Sequence, residues 1–179
     1  MPTAAEWQSL IYLKPQDFTG KNPDGLRFSI LQKLDQFVAL VGSRPVILSA
    51  YRPGDPRAHG FGQAIDTTWP GQNPLDVNQK AVNSGLFKGI GIYVNELGAA
   101  SHHFDDWDQR TGSDPDTWGG IINHPINSDT GQHVRTTQYV GMQQVVDIIK
   151  KKLYQVATNP VVLLLAGLTI IALWKGRSR

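Results

Sequence analysis

The chain has 179 residues, 40% of them hydrophobic and 18% charged, a balance that excludes a wholly disordered polypeptide and leaves room for one ordinary domain with an appendage. Its formal charge of +2 is unevenly spread: residues 1–149 carry 11 Lys/Arg and all 15 Asp/Glu, a net −4, whereas residues 150–179 carry six Lys/Arg and no acid, a net +6. An acidic body argues against nucleic acid as a partner, because phosphate neutralisation needs clustered cations, and the absence of cysteine excludes disulfides and thiolate metal sites, leaving His, Asp and Glu as the ligands available.

The N-terminus, Met1 to Trp7, has neither a cationic start nor an apolar run and does not read as a secretory signal. Leu26, Ile30, Leu34, Phe37 and Val41 form one helical stripe, so the spacing predicts a helix over 26–41 that ends at Gly42. Pro45 to Tyr51 reads as a short apolar strand stopped by Pro53-Gly54. Further strands are expected over 64–69 and 89–94, with a helix over 75–84 between them, giving an α+β fold with polar motifs at strand ends. From Thr111 to Gly141 the chain is rich in Gly, Asp, Asn, Pro and Thr and reads as loops. Met142, Val145, Val146, Ile149 and Leu153 then mark an amphipathic helix, suited equally to lying on a bilayer or packing on the body. From Leu153 to Trp174 there is no charged residue, a stretch of 22 positions that would span about 33 Å as a helix, against about 30 Å of hydrocarbon. Lys150–Lys152 precede it and Lys175, Arg177 and Arg179 follow it, so it reads as a membrane anchor whose orientation the balanced cations leave open.

Two segments hold almost all the candidate ligands. In the first, His59-Gly-Phe-Gly62-Gln-Ala64-Ile-Asp66, a spacing of seven cannot place both ligands on one helical face, so it reads as a loop entering a strand. The second is Ser101-His102-His103-Phe104-Asp105, in which His103 and Asp105 at i, i+2 on a strand share a face. Together they could supply an open zinc site of two imidazoles and one carboxylate. His102 is a neighbouring alternative to His103. His124 and His133 fall in the polar stretch and read as surface residues, and the Gly89–Gly91 pair is not followed by the Lys-Ser/Thr of a phosphate loop.

Ser49-Ala-Tyr51-Arg52, His59-x-x-Gly62-x-Ala64-x-Asp66, Gly89-Ile-Gly91-Ile-Tyr93 and His103-x-Asp105, in that order, resemble the zinc D-Ala-D-Ala carboxypeptidase and L-alanyl-D-glutamate endopeptidase family over about residues 12–120. These are peptidoglycan peptidases with a Hedgehog-like fold. The resemblance implies an antiparallel sheet with flanking helices, and zinc held by His59, Asp66 and His103. It also implies Arg52 at the substrate carbonyl and Asp105 as the proton carrier, while Tyr51, Arg57 and Tyr93 are candidate substrate contacts beside them. Glu96 is a reserve base. The chain departs from the family at Arg57, where a Ser usually stands, and at Ala100, where other branches place the base.

The expected organisation is a zinc domain over 1–120, a polar linker over 121–140, the amphipathic helix over 141–153, an anchor over 154–174 and a basic tail over 175–179. The expected activity is hydrolysis of a stem-peptide amide by a bacteriophage protein tethered to a host or virion membrane, in entry or lysis. The rival expectation is an inactive structural or binding component of a membrane-associated virion, docked with other virion proteins.

Overall fold

The computed structural model describes residues 1–95, 99–109, 116–123 and 136–157. Four α-helices lie along the chain: α1 (Ala4–Ser9), α2 (Phe28–Val41), α3 (Pro74–Ser84) and α4 (Met142–Ala157). Six strands, β1 (Val46–Ser49), β2 (Ala64–Thr68), β3 (Gly89–Asn95), β4 (Ala100–Asp105), β5 (Asp116–Asn123) and β6 (Thr136–Val140), form one sheet in the order β1-β2-β4-β3-β5-β6. The predicted stripe of α2 is its buried face: Ile30, Leu34, Phe37 and Val41 all pack inward, and Gly42 ends the helix in the left-handed conformation. α3 starts where Asn73 caps the Leu75 N–H and Pro74 occupies the first turn, where its missing N–H costs nothing.

The alternation of the strands divides the sheet into a core face and an open face. Ile47, Ile65, Ile90 and Phe104 point to the core, where Phe37 packs edge-on against Trp69, Phe87 and Phe104 at 5.2–5.5 Å between centroids. A second, smaller cluster joins Ile92 and Val94 of β3 to Val145 and Ile149 of α4. The helices α2, α3 and α4 therefore take the core face, and the opposite face of β1 to β5 is left to line a cleft.

The expectation of an antiparallel sheet holds for four of the five pairings. β5 runs parallel to β3, matching Gly91 to Trp118, so the sheet is mixed. The stretch read as loops over 111–141 contains β5 and β6, and the domain boundary at 120 falls inside β5. Its Gly and Asp content pointed to loops, yet Gly119 and Gly120 sit inside the strand. A Cβ on Gly119 would stand 2.4 Å from Val145 Cγ2, so the residue that looked like a breaker is the one that lets α4 pack against β5. Of the two placements open to the amphipathic helix, α4 adopts the one on the body, with Val145 and Ile149 buried. The expected span over 154–174 overlaps α4 only at 154–157, and its remainder lies outside the described residues, as do His124, His133 and the basic tail. Among the described residues no helix is long and apolar enough to cross a membrane.

The N-terminal segment is tied to α2 by one side chain. Asp35 is buried on α2, and its carboxylate accepts N–H bonds from Ile11 (3.0 Å), Tyr12 (2.7 Å) and Leu13 (2.8 Å). Asp35→Asn would turn an amide donor toward the Ile11 donor, and a buried donor left unmade costs about 1–3 kcal/mol. Urea denaturation should therefore show the variant less stable by about that amount, with the slope unchanged.

Candidate metal centre

The open face of the sheet brings three ligand atoms together. β1 and β2 pair antiparallel with an irregularity between Ile47 and Ser49, and Ser49 stands opposite Asp66. The loop after β1 carries Arg52 and a short 3-10 turn, Ala58–Phe61, that presents His59. Gly62 closes that turn at φ +69°, a conformation suited to glycine, so the backbone can reverse from His59 into β2 and Asp66 as the spacing required. On the other side of Asp66, β4 places His103 directly opposite. The alternation of β4 sends His102 to the other face, so the choice between the two histidines goes to His103.

His59 Nε2 lies 3.2 Å from Asp66 Oδ1 and 3.2 Å from His103 Nδ1, and His103 Nδ1 lies 2.8 Å from Asp66 Oδ1. In a tetrahedral site with bonds of about 2.0 Å, ligand atoms stand about 3.3 Å apart. The group therefore has the dimensions of such a site, with the Asp66–His103 edge about 0.5 Å tight.

Each ligand also has a partner on its far side, the arrangement that orients metal-binding residues. His59 Nδ1 is 2.6 Å from the Ala50 carbonyl oxygen, which can only accept, so the proton sits on Nδ1 and Nε2 presents a lone pair. Asp66 uses its second oxygen, Oδ2, to bind the Arg52 guanidinium. His103 Nε2 donates to Asp105 Oδ2 at 3.0 Å. Two imidazole lone pairs and a carboxylate aimed at one point repel one another unless a cation stands between them, and this observation tests the fit to a metal independently of the distances.

Without a metal, a proton takes that role. Burial alone would lower the pKa of His103, but hydrogen bonds to Asp105 and Asp66 and their charges outweigh it and hold the ring above its ordinary value. Burial would raise the carboxyl of Asp66, yet the hydrogen bond from His103 and the adjacent His59 ring keep it far below the usual carboxylate range. Burial pushes His102 down to about 4, against the opposing effect of its Pro74 carbonyl partner, so that ring is neutral at pH 7.

A cleft of about 690 Å³ surrounds the centre. One wall is ionic. The Arg52 side chain, 44% exposed, donates Nε to Ser49 Oγ at 2.7 Å and holds Nη1 3.7 Å from Asp55, which also stands 3.8 Å from Arg57 Nε. The other wall is aromatic. Trp118 lies across Gly91, where a Cβ would come within 2.6 Å of the indole. It donates Nε1–H to Tyr93 Oη at 2.7 Å and sits 5.3 Å from the His103 ring. Trp107 also lines the cleft.

Of the residues expected at the site, His59, Asp66, His103, Arg52, Arg57, Tyr93 and Asp105 all line this cleft, and Tyr51 does not. Tyr51 packs on the core, with its ring over Gly25. It directly precedes Arg52, and the turn after β1 sends the two side chains apart. Asp105 stands behind the ligand group, on the Nε2 side of His103. It is fully buried behind His103, with Oδ2 on Nε2 and Oδ1 accepting the Trp107 N–H at 3.2 Å. Glu96 lies outside the described residues. Ser49, Asp55 and Trp118 were not expected as functional residues. For Trp118 the available signal was the β-forming run around it, Thr117-Trp118 and Ile121-Ile122, masked by Gly119 and Gly120.

Comparisons with known protein families, curated proteins and solved structures yield no match. The case for a metal site therefore rests on the geometry above.

Metal binding must displace the proton that His103 shares with Asp66. Because that ring titrates above the ordinary value of 6.5, affinity is complete only above its raised pKa and falls by about tenfold per pH unit below it. Isothermal titration with zinc across pH 5–9, in buffers of differing ionisation enthalpy, should show that slope and the released proton.

Proposed function

We propose that this chain is a zinc-dependent peptidase that hydrolyses an amide bond in a peptidoglycan stem peptide. The observation that carries the reading is the convergence of His59 Nε2, Asp66 Oδ1 and His103 Nδ1 on one point beside Arg52, in a cleft wide enough for a peptide. Two nitrogens and one carboxylate oxygen, with room on the cleft side for a further ligand, are the donor set of hydrolytic zinc sites. Zinc bound there would polarise a substrate carbonyl and bring the pKa of a bound water to about 7.

The remaining work falls to the side chains of the cleft. His59, Asp66 and His103 hold the ion. Arg52 is fixed through Nε and Nη2, while its Nη1 is too far from Asp55 for a hydrogen bond and can donate to a carbonyl oxygen whose charge grows during attack. Arg57 and Tyr93, at the two walls, contact the flanking parts of the peptide.

A second reading has a specific observation in its favour. Hydrolysis needs a group to carry the water proton to the leaving amine, and the three carboxylates that line the cleft are already engaged: Asp66 with both histidines and Arg52, Asp105 with His103 and Trp107, Asp55 with the Arg57 N–H. This favours a binding or structural component that keeps the peptidase-like site without turnover. Incubation of the zinc-loaded protein with purified peptidoglycan, followed by mass spectrometry of the fragments, separates the two. The peptidase reading expects a new amine and a new carboxylate within the stem peptide, and a loss of at least about 10³-fold in rate for His59→Ala. Zinc uptake without cleavage selects the binding reading, and a folded protein that takes no metal removes both.

The uncharged, apolar run over 153–174 between two groups of cations supports attachment to a membrane. A phage protein acting at the wall during entry or lysis would have use for such a tether. The full chain should sediment with membranes, resist carbonate extraction and be released by detergent. Appearance in the soluble fraction at low salt would remove the anchor from the proposal.

A further inference from the structure

The position of Asp105 suggests a role other than proton transfer. It shares with His103 the central strand β4, flanked by β2 and β3, and the two side chains emerge on the same face two residues apart. Gly91 and Asp66 stand opposite His103, and the positions opposite Asp105 are small, Gly89 and Ala64. With only Ala64 and a glycine beside it, Asp105 has room to turn along the strand toward the imidazole. It is 0% exposed, and its oxygens meet the Trp107 N–H and His103 Nε2. Asp105 Oδ1 accepts the Trp107 N–H and a carboxylate oxygen accepts, so in the 3.0 Å contact with Oδ2 the donor is His103 Nε2. In the metal-free protein His103 Nδ1 carries a second proton, shared with Asp66 Oδ1 at 2.8 Å, and once a metal displaces it Nδ1 presents its lone pair to the point it shares with His59 Nε2 and Asp66 Oδ1. Trp118, 5.3 Å away and anchored on Tyr93, closes the side of the ring and opposes its rotation.

We propose that Asp105 is the positioning residue of the centre: it selects the His103 tautomer and ring orientation that offer Nδ1, not Nε2, to the metal. This rests on the metal-binding reading above and goes beyond it, since it names the coordinating nitrogen and assigns Asp105 to the metal's surroundings and not to the moving proton. Such outer carboxylates are worth about 10- to 100-fold in metal affinity.

The test uses the full chain with cobalt(II) and zinc as the only probes. Asp105→Asn preserves shape and should fold, but its amide must face one of the two donors, so the metal-free variant should melt at a lower temperature than the parent. It should bind cobalt about 10- to 100-fold more weakly and shift the visible bands of the bound ion, because the ring is no longer held in one orientation. Unchanged affinity and an unchanged spectrum would overturn the proposal. Nitrogen-15 spectra of the zinc-loaded parent provide a test that needs no variant. His103 should show a metal-bound Nδ1 and a slowly exchanging Nε2–H, and a metal-bound Nε2 would overturn the assignment even if Asp105→Asn failed to fold. A parent chain that takes up neither ion overturns the metallopeptidase reading and this inference with it, whereas uptake unaffected by Asp105→Asn overturns the inference alone.

Discussion

The register of β4 is the constraint on which the centre depends. Successive residues of a strand face opposite ways, and β4 uses both faces fully: His102 and Phe104 turn to the helices, His103 and Asp105 to the cleft. A slip of one residue would bury His103 and Asp105 in the apolar layer and offer His102 and Phe104 to the ligands. What prevents it is the core itself. Phe104 is stacked on Phe87 at 4.6 Å and edge-on to Phe37 at 5.2 Å, contacts no neighbouring residue of β4 could make. The packing of apolar side chains on one side of the sheet therefore sets which polar side chains meet on the other.

The electrostatics of the site follow from that burial. Two carboxylates, Asp66 and Asp105, are brought into a sparsely hydrated place where isolated charges would be costly. They are tolerated because each faces a donor: His103 and Arg52 around Asp66, His103 and the Trp107 N–H around Asp105. His103 stands between the two anions, so its ring retains a proton unless another cation replaces it. The −4 of the body is thus not spread evenly over its surface, since part of it is gathered at a point that a divalent ion would neutralise.

Much of this was legible in the sequence, for reasons that also explain what was not. α2 shows its apolar stripe and its closing glycine in local order, and β2 and β3 are short runs of β-forming residues, so spacing alone locates them. His59 and Asp66 stood out because two ligands joined by a glycine-rich turn have few other reasons to be there. The parallel pairing of β5 with β3 was hidden because register across a gap in sequence leaves no local trace, and because Gly119 and Gly120 resemble loop residues until their neighbours are known. The position of Asp105 is only half visible for a related reason. Spacing shows that it shares a face with His103, but not that Nε2, the nitrogen away from the ligands, is the one it meets.

β5 also decides where the body ends. On its cleft side Trp118 lies against His103 and bonds Tyr93, and on its core side Gly119 admits Val145 of α4. A boundary at 120 would separate one wall of the cleft from the helix that backs it. The burial of Val145 and Ile149 against Ile92 and Val94 places α4 in the same apolar layer as the rest of the sheet. The six cations of residues 150–179 thus begin on a helix that already belongs to the body. If the apolar run beyond it enters a bilayer, α4 offers little free linker between membrane and cleft, and the reach of the site from that bilayer would be set by the packing of α4 on β3 and β5.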